Sequence, residues 1–205
     1  TTSAGAGGSG GGLPVCVPNG LAPPPGDCSV LGIVIAPPYD QSYDCFDLGP
    51  VPGVPEKWGG LTATLSDPDH LLIGRNANTA SGMIHTVGIE RDAKCHVLGF
   101  TGTSAVSIAG AYNDGGVTFD ANGILFLARW PVNELGQTKP GSAVTDKIVP
   151  LGAFGVASSI AGVGFVPFGF PSEGELRIDS WSGGQWYEVG LATDANGTFD
   201  VTSAT

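Results

Sequence analysis

Positive charge is the scarcest property of this chain. Eight Lys and Arg stand against nineteen Asp and Glu in 205 residues, a net charge of −11. With a pI near 4.3, such a chain repels nucleic acid and anionic membrane surfaces, whose partners rely on basic side chains. Charge of either sign is low, at 13%, about half the usual share, and this excludes coiled coils and helical bundles rich in Glu, Lys and Ala. Methionine occurs once and aromatic residues make up only 8%. No apolar run approaches the ~18 residues of a membrane-spanning helix. Gly-x-Ser-x-Gly occurs only as Gly7-Gly8-Ser9-Gly10-Gly11 within the initial glycine run, with no apolar strand before it to form a nucleophile elbow, and the Walker loop and the His-Glu-x-x-His pair are missing. With them go the sequence signs of α/β-hydrolases, P-loop NTPases and zincins.

What the chain has instead is glycine and proline, 34 and 16 residues, about twice their usual combined share. An apolar content of 41% supplies enough to bury and argues against disorder of the whole. The composition is that of a secreted, loop-rich, all-β protein.

Four cysteines, Cys16, Cys28, Cys45 and Cys95, all lie in the first half of the chain. An even count outside any Cys-x-x-Cys spacing points to disulfides and an oxidising compartment: extracellular, periplasmic or cell-surface. No His or second Cys lies at zinc-ligand spacing. Three pairings are open. The expected one is Cys16–Cys28 with Cys45–Cys95, which staples the segment Pro14 to Pro25 onto itself. The Gly/Ser-rich start at Thr1 has no basic or apolar signal region and reads as the flexible leader of a processed chain. Residues 1–42 are thus expected to form a Gly/Pro-rich leader.

Internal repetition is the strongest signal beyond residue 42. Lys57-Trp58-Gly59-Gly60-Leu61-Thr62 is followed by an Asp67-Pro68-Asp69 turn and the apolar run Leu71-Leu72-Ile73. Asn113-Asp114-Gly115-Gly116-Val117 is followed by Asp120-Ala121-Asn122-Gly123 and Ile124-Leu125-Phe126-Leu127. A third copy runs from Ile160-Ala161-Gly162 to Leu176-Arg177-Ile178. Gly60, Gly116 and Gly162 lie 56 and 46 residues apart. Further hairpins are expected at Arg91-Asp92-Ala93-Lys94 and at Asp194-Ala195-Asn196-Gly197, where Asn and Gly tolerate the positive φ of tight turns. One unit is therefore about four strands. That is the period of a β-propeller blade, with small residues letting the innermost strands converge. A β-sandwich is the competing architecture. The expected blades are 43–110, 111–158 and 159–205. Propellers close with four or more blades, so three leave open ends. A second polypeptide, either a C-terminal half of the same precursor or another copy, is expected to cover them.

The chain resembles a group of secreted bacterial six-bladed β-propellers of unknown activity, whose precursors often carry an exosortase (PEP-CTERM) sorting tail. The resemblance covers Tyr43 to the end. It rests on Gly59-Gly60-Leu61, on Tyr112 to Gly116, on Ala128 to Gly141 and on Trp181-Ser182-Gly183-Gly184-Gln185-Trp186-Tyr187. It implies that these residues are the N-terminal half of a six-bladed ring. The chain is also similar, more distantly, to gluconolactonase and regucalcin-like hydrolases. In those, an Asn-Asp pair opening an innermost strand faces a divalent metal in the central channel. That likeness implies Asn113 and Asp114 as Ca²⁺ ligands, the metal polarising a carbonyl and activating water. The matching places in the other copies, Lys57-Trp58 and Ile160-Ala161, hold no such ligands, and an Asx turn entering the strand is the alternative role.

Arg75 and Arg129 end the second strand of two successive units. Together with Trp130 and an expected long loop from Asn133 to Ser142, they form a candidate ligand-binding rim for an anion or a sugar. A rim ion pair of these arginines with Glu134 or Asp146 is the other reading. His70, His85 and His96 are too scattered to share a site, and His85 is expected to face solvent or a neighbouring hairpin. Two functions follow. One is an extracellular binding or matrix module with no catalytic site. The other is a Ca²⁺-dependent lactone or ester hydrolase acting in a propeller channel.

Overall fold

The computed structural model describes residues 26, 28–158 and 160–205. Most of the expected leader, with Cys16, lies outside them. The described chain is all-β: three consecutive four-stranded antiparallel meanders, each with its strands in sequence order. Sheet 1 holds β1 (Trp58–Ala63), β2 (His70–Arg75), β3 (Met83–Arg91) and β4 (Val97–Ile108). Sheet 2 holds β5 (Gly116–Phe119), β6 (Leu125–Arg129), β7 (Glu134–Thr138) and β8 (Lys147–Pro150). Sheet 3 holds β9 (Ile160–Phe165), β10 (Leu176–Ser180), β11 (Gln185–Thr193) and β12 (Phe199–Ala204). None of the sheets closes on itself.

The first strands of the sheets come together, and glycine is the reason they can. The Gly60 N–H donates to Asn113 O at 2.8 Å across the gap between sheets 1 and 2. A Cβ on Gly60 would stand 2.7 Å from the Gly116 carbonyl carbon, and one on Gly116 would stand 3.8 Å from Gly162 Cα. The three repeat glycines therefore meet in succession, backbone against backbone.

Sheet 2 is the middle layer, and this explains β6. Leu125 and Leu127 pack with Leu72, Ile84 and Val117 toward sheet 1. Phe126 and Ala128 pack with Ile160, Ile178 and Val189 toward sheet 3. A strand buried on both faces reads as a continuous apolar run rather than an alternating one. The Phe126 ring meets Phe165 edge-on at 5.2 Å and Phe199 at 5.9 Å. Residues expected in the loop from Asn133 to Ser142 instead supply β7. That strand pairs with β6 and β8 on its two sides and is buried from Leu135 to Thr138. Its Gln137 is fully buried and reaches into sheet 3: Nε2 donates to Phe199 O and the Phe199 N–H donates to Oε1, both at 2.8 Å.

The two ends of the layer stack differ. The outer face of sheet 1 carries Ile73 and Val87, which Val51 and Val54 cover. This strap is pinned by Trp58 Nε1 donating to Val54 O (3.1 Å) and by the Ser104 N–H donating to Pro52 O (3.0 Å). Among the described residues the far face of sheet 3 has no such cover: Trp186 is 74% exposed. At its centre Arg177 bridges Glu175 (2.9 Å) and Glu188 (2.5 Å). The open face is therefore ion-paired and exposes an indole, unlike the apolar faces inside the stack.

Aspartates shape the hairpins. Asp120 Oδ1 accepts from the N–H groups of Asn122 (3.0 Å) and Ile124 (2.7 Å), and Asp194 Oδ1 accepts from Asn196 (2.8 Å) and Thr198 (3.0 Å). Side chains that hydrogen-bond their own turn hold it closed. Lys147 of sheet 2 also lies 2.6 Å from Asp194 and 2.5 Å from Asp200, tying the outer strands of sheets 2 and 3. The Lys147 ammonium, then the Thr198 hydroxyl and N–H, hold the Asp194 carboxyl far below the usual carboxylate range. A depressed native pKa adds stability above the unfolded value near ~3.9, and that stability is lost as pH falls through it toward the native value. Urea midpoints should therefore fall between pH 5 and pH 2.5, and less steeply in Asp194→Asn. Equal slopes in the two proteins would refute this role.

The cysteine pairing differs from expectation. Cys28 and Cys45 are joined, with S–S 2.11 Å, so neither Cys16–Cys28 nor Cys45–Cys95 forms. Cys95 is itself disulfide-bonded. Cys28 and Cys45 face each other because the chain between them folds back through a short 3₁₀ turn at Tyr39–Gln41, a reversal that spacing does not reveal.

Candidate functional site

The end of the stack where β1, β5 and β9 begin, and where β2 and β10 finish, gathers three of the four tryptophans. Trp58 stands opposite Arg75 in register, Trp130 follows β6 and Trp181 follows β10. Trp181 is 83% exposed. Between sheets 2 and 3 this rim holds a cleft of about 480 Å³ lined by Asp114, Trp130, Ile160, Ala161, Asp179 and Trp181.

Asn113 and Asp114, expected together as metal ligands, point to different tasks. Asn113 is fully buried, and its Nδ2 donates to Gly110 O at 2.6 Å. Its Oδ1 lies over sheet 1, where a Cβ on Gly74 or Gly59 would come within 1.9 or 2.3 Å of it. The amide thus occupies the space those two glycines leave, its Oδ1 buried there without a hydrogen-bond partner and turned away from the cleft that Asp114 lines. Asp114 is exposed and lines the cleft. Asp179, from β10, is the second carboxylate there, and its Oδ1 accepts the Gly162 N–H. Six to eight oxygen ligands are typical of Ca²⁺, and the described residues bring no three His, Cys, Asp or Glu side chains together. The cleft does not fit a protein-held calcium.

Arg75 and Arg129 do not share a site, because sheet 1 stands between them. Arg129 is 6% exposed on the side of β6 facing sheet 1. It ion-pairs with Glu134, donates from Nε to Ala111 O at 3.1 Å and lies 5.4 Å over the Tyr112 ring. Its cation is thereby engaged within the protein. Arg75 lies on the strap side beside His85, and its Nε is buried without a hydrogen-bond partner. Of the two surroundings expected for His85, solvent or a neighbouring hairpin, solvent does not hold. His85 is 5% exposed, with Nδ1 at 3.3 Å from Ser104 Oγ and Nε2 unpartnered. Burial first, and then the Arg75 charge, push its pKa below the ordinary histidine value.

Comparison with protein families, with curated proteins and with solved structures found no match.

Of the expected rim only Trp130 reaches the cleft, joined there by Asp114 from the expected metal pair. Asp179 and Trp181 complete the lining and were missed as site residues. The signal for them was positional: Asp179-Ser180-Trp181 ends the second strand of the third repeat as Arg129-Trp130 ends that of the second.

Proposed function

We propose that this chain is an extracellular binding or structural module of β-propeller type, with three blades here, whose aromatic rim is the working surface. The observation that carries it is the cleft between sheets 2 and 3, where exposed Asp114 and Trp181 and half-buried Trp130 and Asp179 converge while the neighbouring Arg129 is spent on internal contacts. Repetition of a four-stranded meander with its first strands side by side supports the propeller architecture. The disulfide at Cys28–Cys45 supports an oxidising compartment. Among the described residues no helix is long and apolar enough to cross a membrane. A second polypeptide covers the exposed face of sheet 3 around Trp186, and closing a six-bladed ring further requires the Val51 and Val54 strap to leave the outer face of sheet 1. The hydrolase reading loses its argument with Asn113, whose side chain is committed to the glycines of sheet 1.

Both parts are tested on one preparation. Lactone and ester substrates should show no turnover with or without added Ca²⁺, and sedimentation equilibrium should give a mass above 20.6 kDa. Calcium-dependent turnover that disappears in Asp114→Ala would overturn the binding reading in favour of the hydrolase. A stable monomer would overturn the half-ring.

A further inference from the structure

We infer that the cleft between sheets 2 and 3 binds a small organic cation, a quaternary or primary ammonium group. This rests on the binding reading above and specifies its ligand. The lining offers two carboxylates, Asp114 and Asp179, and two indoles, Trp130 and Trp181, with Ile160 and Ala161 forming the floor. Among the described residues neither carboxylate takes part in an ion pair, although nine such pairs form elsewhere. Arg129, the nearest cation in sequence to Trp130, is held by Glu134 and the Tyr112 ring. The cleft therefore presents uncompensated negative charge beside aromatic faces, in a protein of net charge −11.

These features select the ligand by charge and shape. An anion is repelled by both carboxylates. A calcium ion lacks the six to eight oxygens it requires. An alkylammonium gains Coulomb attraction from Asp114 and Asp179, and its methyl or methylene groups lie against an indole face, whose quadrupole attracts cations. A volume of about 480 Å³ lies within the range of small-molecule sites, ample for a trimethylammonium head with a short chain.

The experiment is isothermal titration calorimetry of the whole chain with choline chloride, in cacodylate buffer because Tris is itself an ammonium and phosphate precipitates calcium. Cellobiose and CaCl₂ are titrated in parallel. Choline should bind saturably and weaken several-fold when NaCl is raised from 20 to 500 mM, as screening requires. Asp114→Asn and Trp181→Ala should each weaken it about tenfold, in line with the loss of a charge or a cation–π contact. Both side chains are exposed, so circular dichroism should show both variants folded. Cellobiose binding that Trp181→Ala abolishes, without choline binding, would overturn the cation and leave the binding module standing. Calcium binding lost in Asp114→Asn would replace the organic cation with a metal. Binding of none of the three solutes would overturn the inference and remove the support it lends to the binding module.

Discussion

Gly60→Ala should lower the stability of this protein by about 3 kcal/mol, the upper end of the usual cost of overpacking. The added Cβ would stand 2.7 Å from the Gly116 carbonyl carbon and 2.8 Å from Val117 N. Both are main-chain atoms of a strand paired into sheet 2, so no rotamer change relieves the clash. Sheets 1 and 2 would have to separate, stretching the hydrogen bond from Gly60 N–H to Asn113 O. With a urea slope of about 2 kcal/mol/M, the midpoint should fall by about 1.5 M. Gly164→Ala is the control. It lies on β9 with nothing within 4 Å of its Cβ position, and its effect should stay within ~0.5 kcal/mol. Equal midpoints for the two variants would show that the sheets do not meet at Gly60.

Gln137→Leu should cost about 2 to 4 kcal/mol. The side chain is fully buried in β7, yet both its hydrogen bonds go to Phe199 in β12. Leucine fills a similar volume but leaves the Phe199 N–H and C=O without partners, each orphan costing about 1–3 kcal/mol. Urea denaturation measures the total. Hydrogen exchange localises it, because the Phe199 amide should lose protection relative to Val201 and Ser203 on the same strand. A loss below ~0.5 kcal/mol, or unchanged exchange at Phe199, would exclude this link between sheets 2 and 3.

Local chemistry made much of the architecture legible. The glycines at 60, 116 and 162 mark the strands that approach most closely, and Asp120 and Asp194 sit in the turns their neighbours announce. Features set by contacts between sheets were not legible. Strand β7 was hidden because Gln137 reads as polar; its burial depends on Phe199, 62 residues away. The exposure of His85 was misjudged for a similar reason. Alternation assigns it to a face of β3, but only the strap at Val51 and Val54 decides that the face is covered. Asn113 was expected as a ligand through the likeness to gluconolactonase and regucalcin-like hydrolases, while its own sequence context offered only a turn. Its actual role follows from Gly59 and Gly74, which belong to another sheet. In the cleft, Asp114 and Trp130 were recognisable one at a time, whereas Asp179 and Trp181 needed the third repeat to be laid against the second.

The strap that crosses sheet 1 also governs how copies of this chain can associate. A stack of sheets with two bare ends would be able to join head to tail without limit, since a heterologous contact that does not close generates a filament. Here one end is already occupied by Val51 and Val54, so the Trp186 face of one molecule meets no bare sheet on the next. Were copies to join through their open sheet faces, the matching contact, open face to open face, would have twofold symmetry and stop at two. In that geometry Val51 and Val54, which belong to no strand, are what leaves the described stack with one open sheet face rather than two.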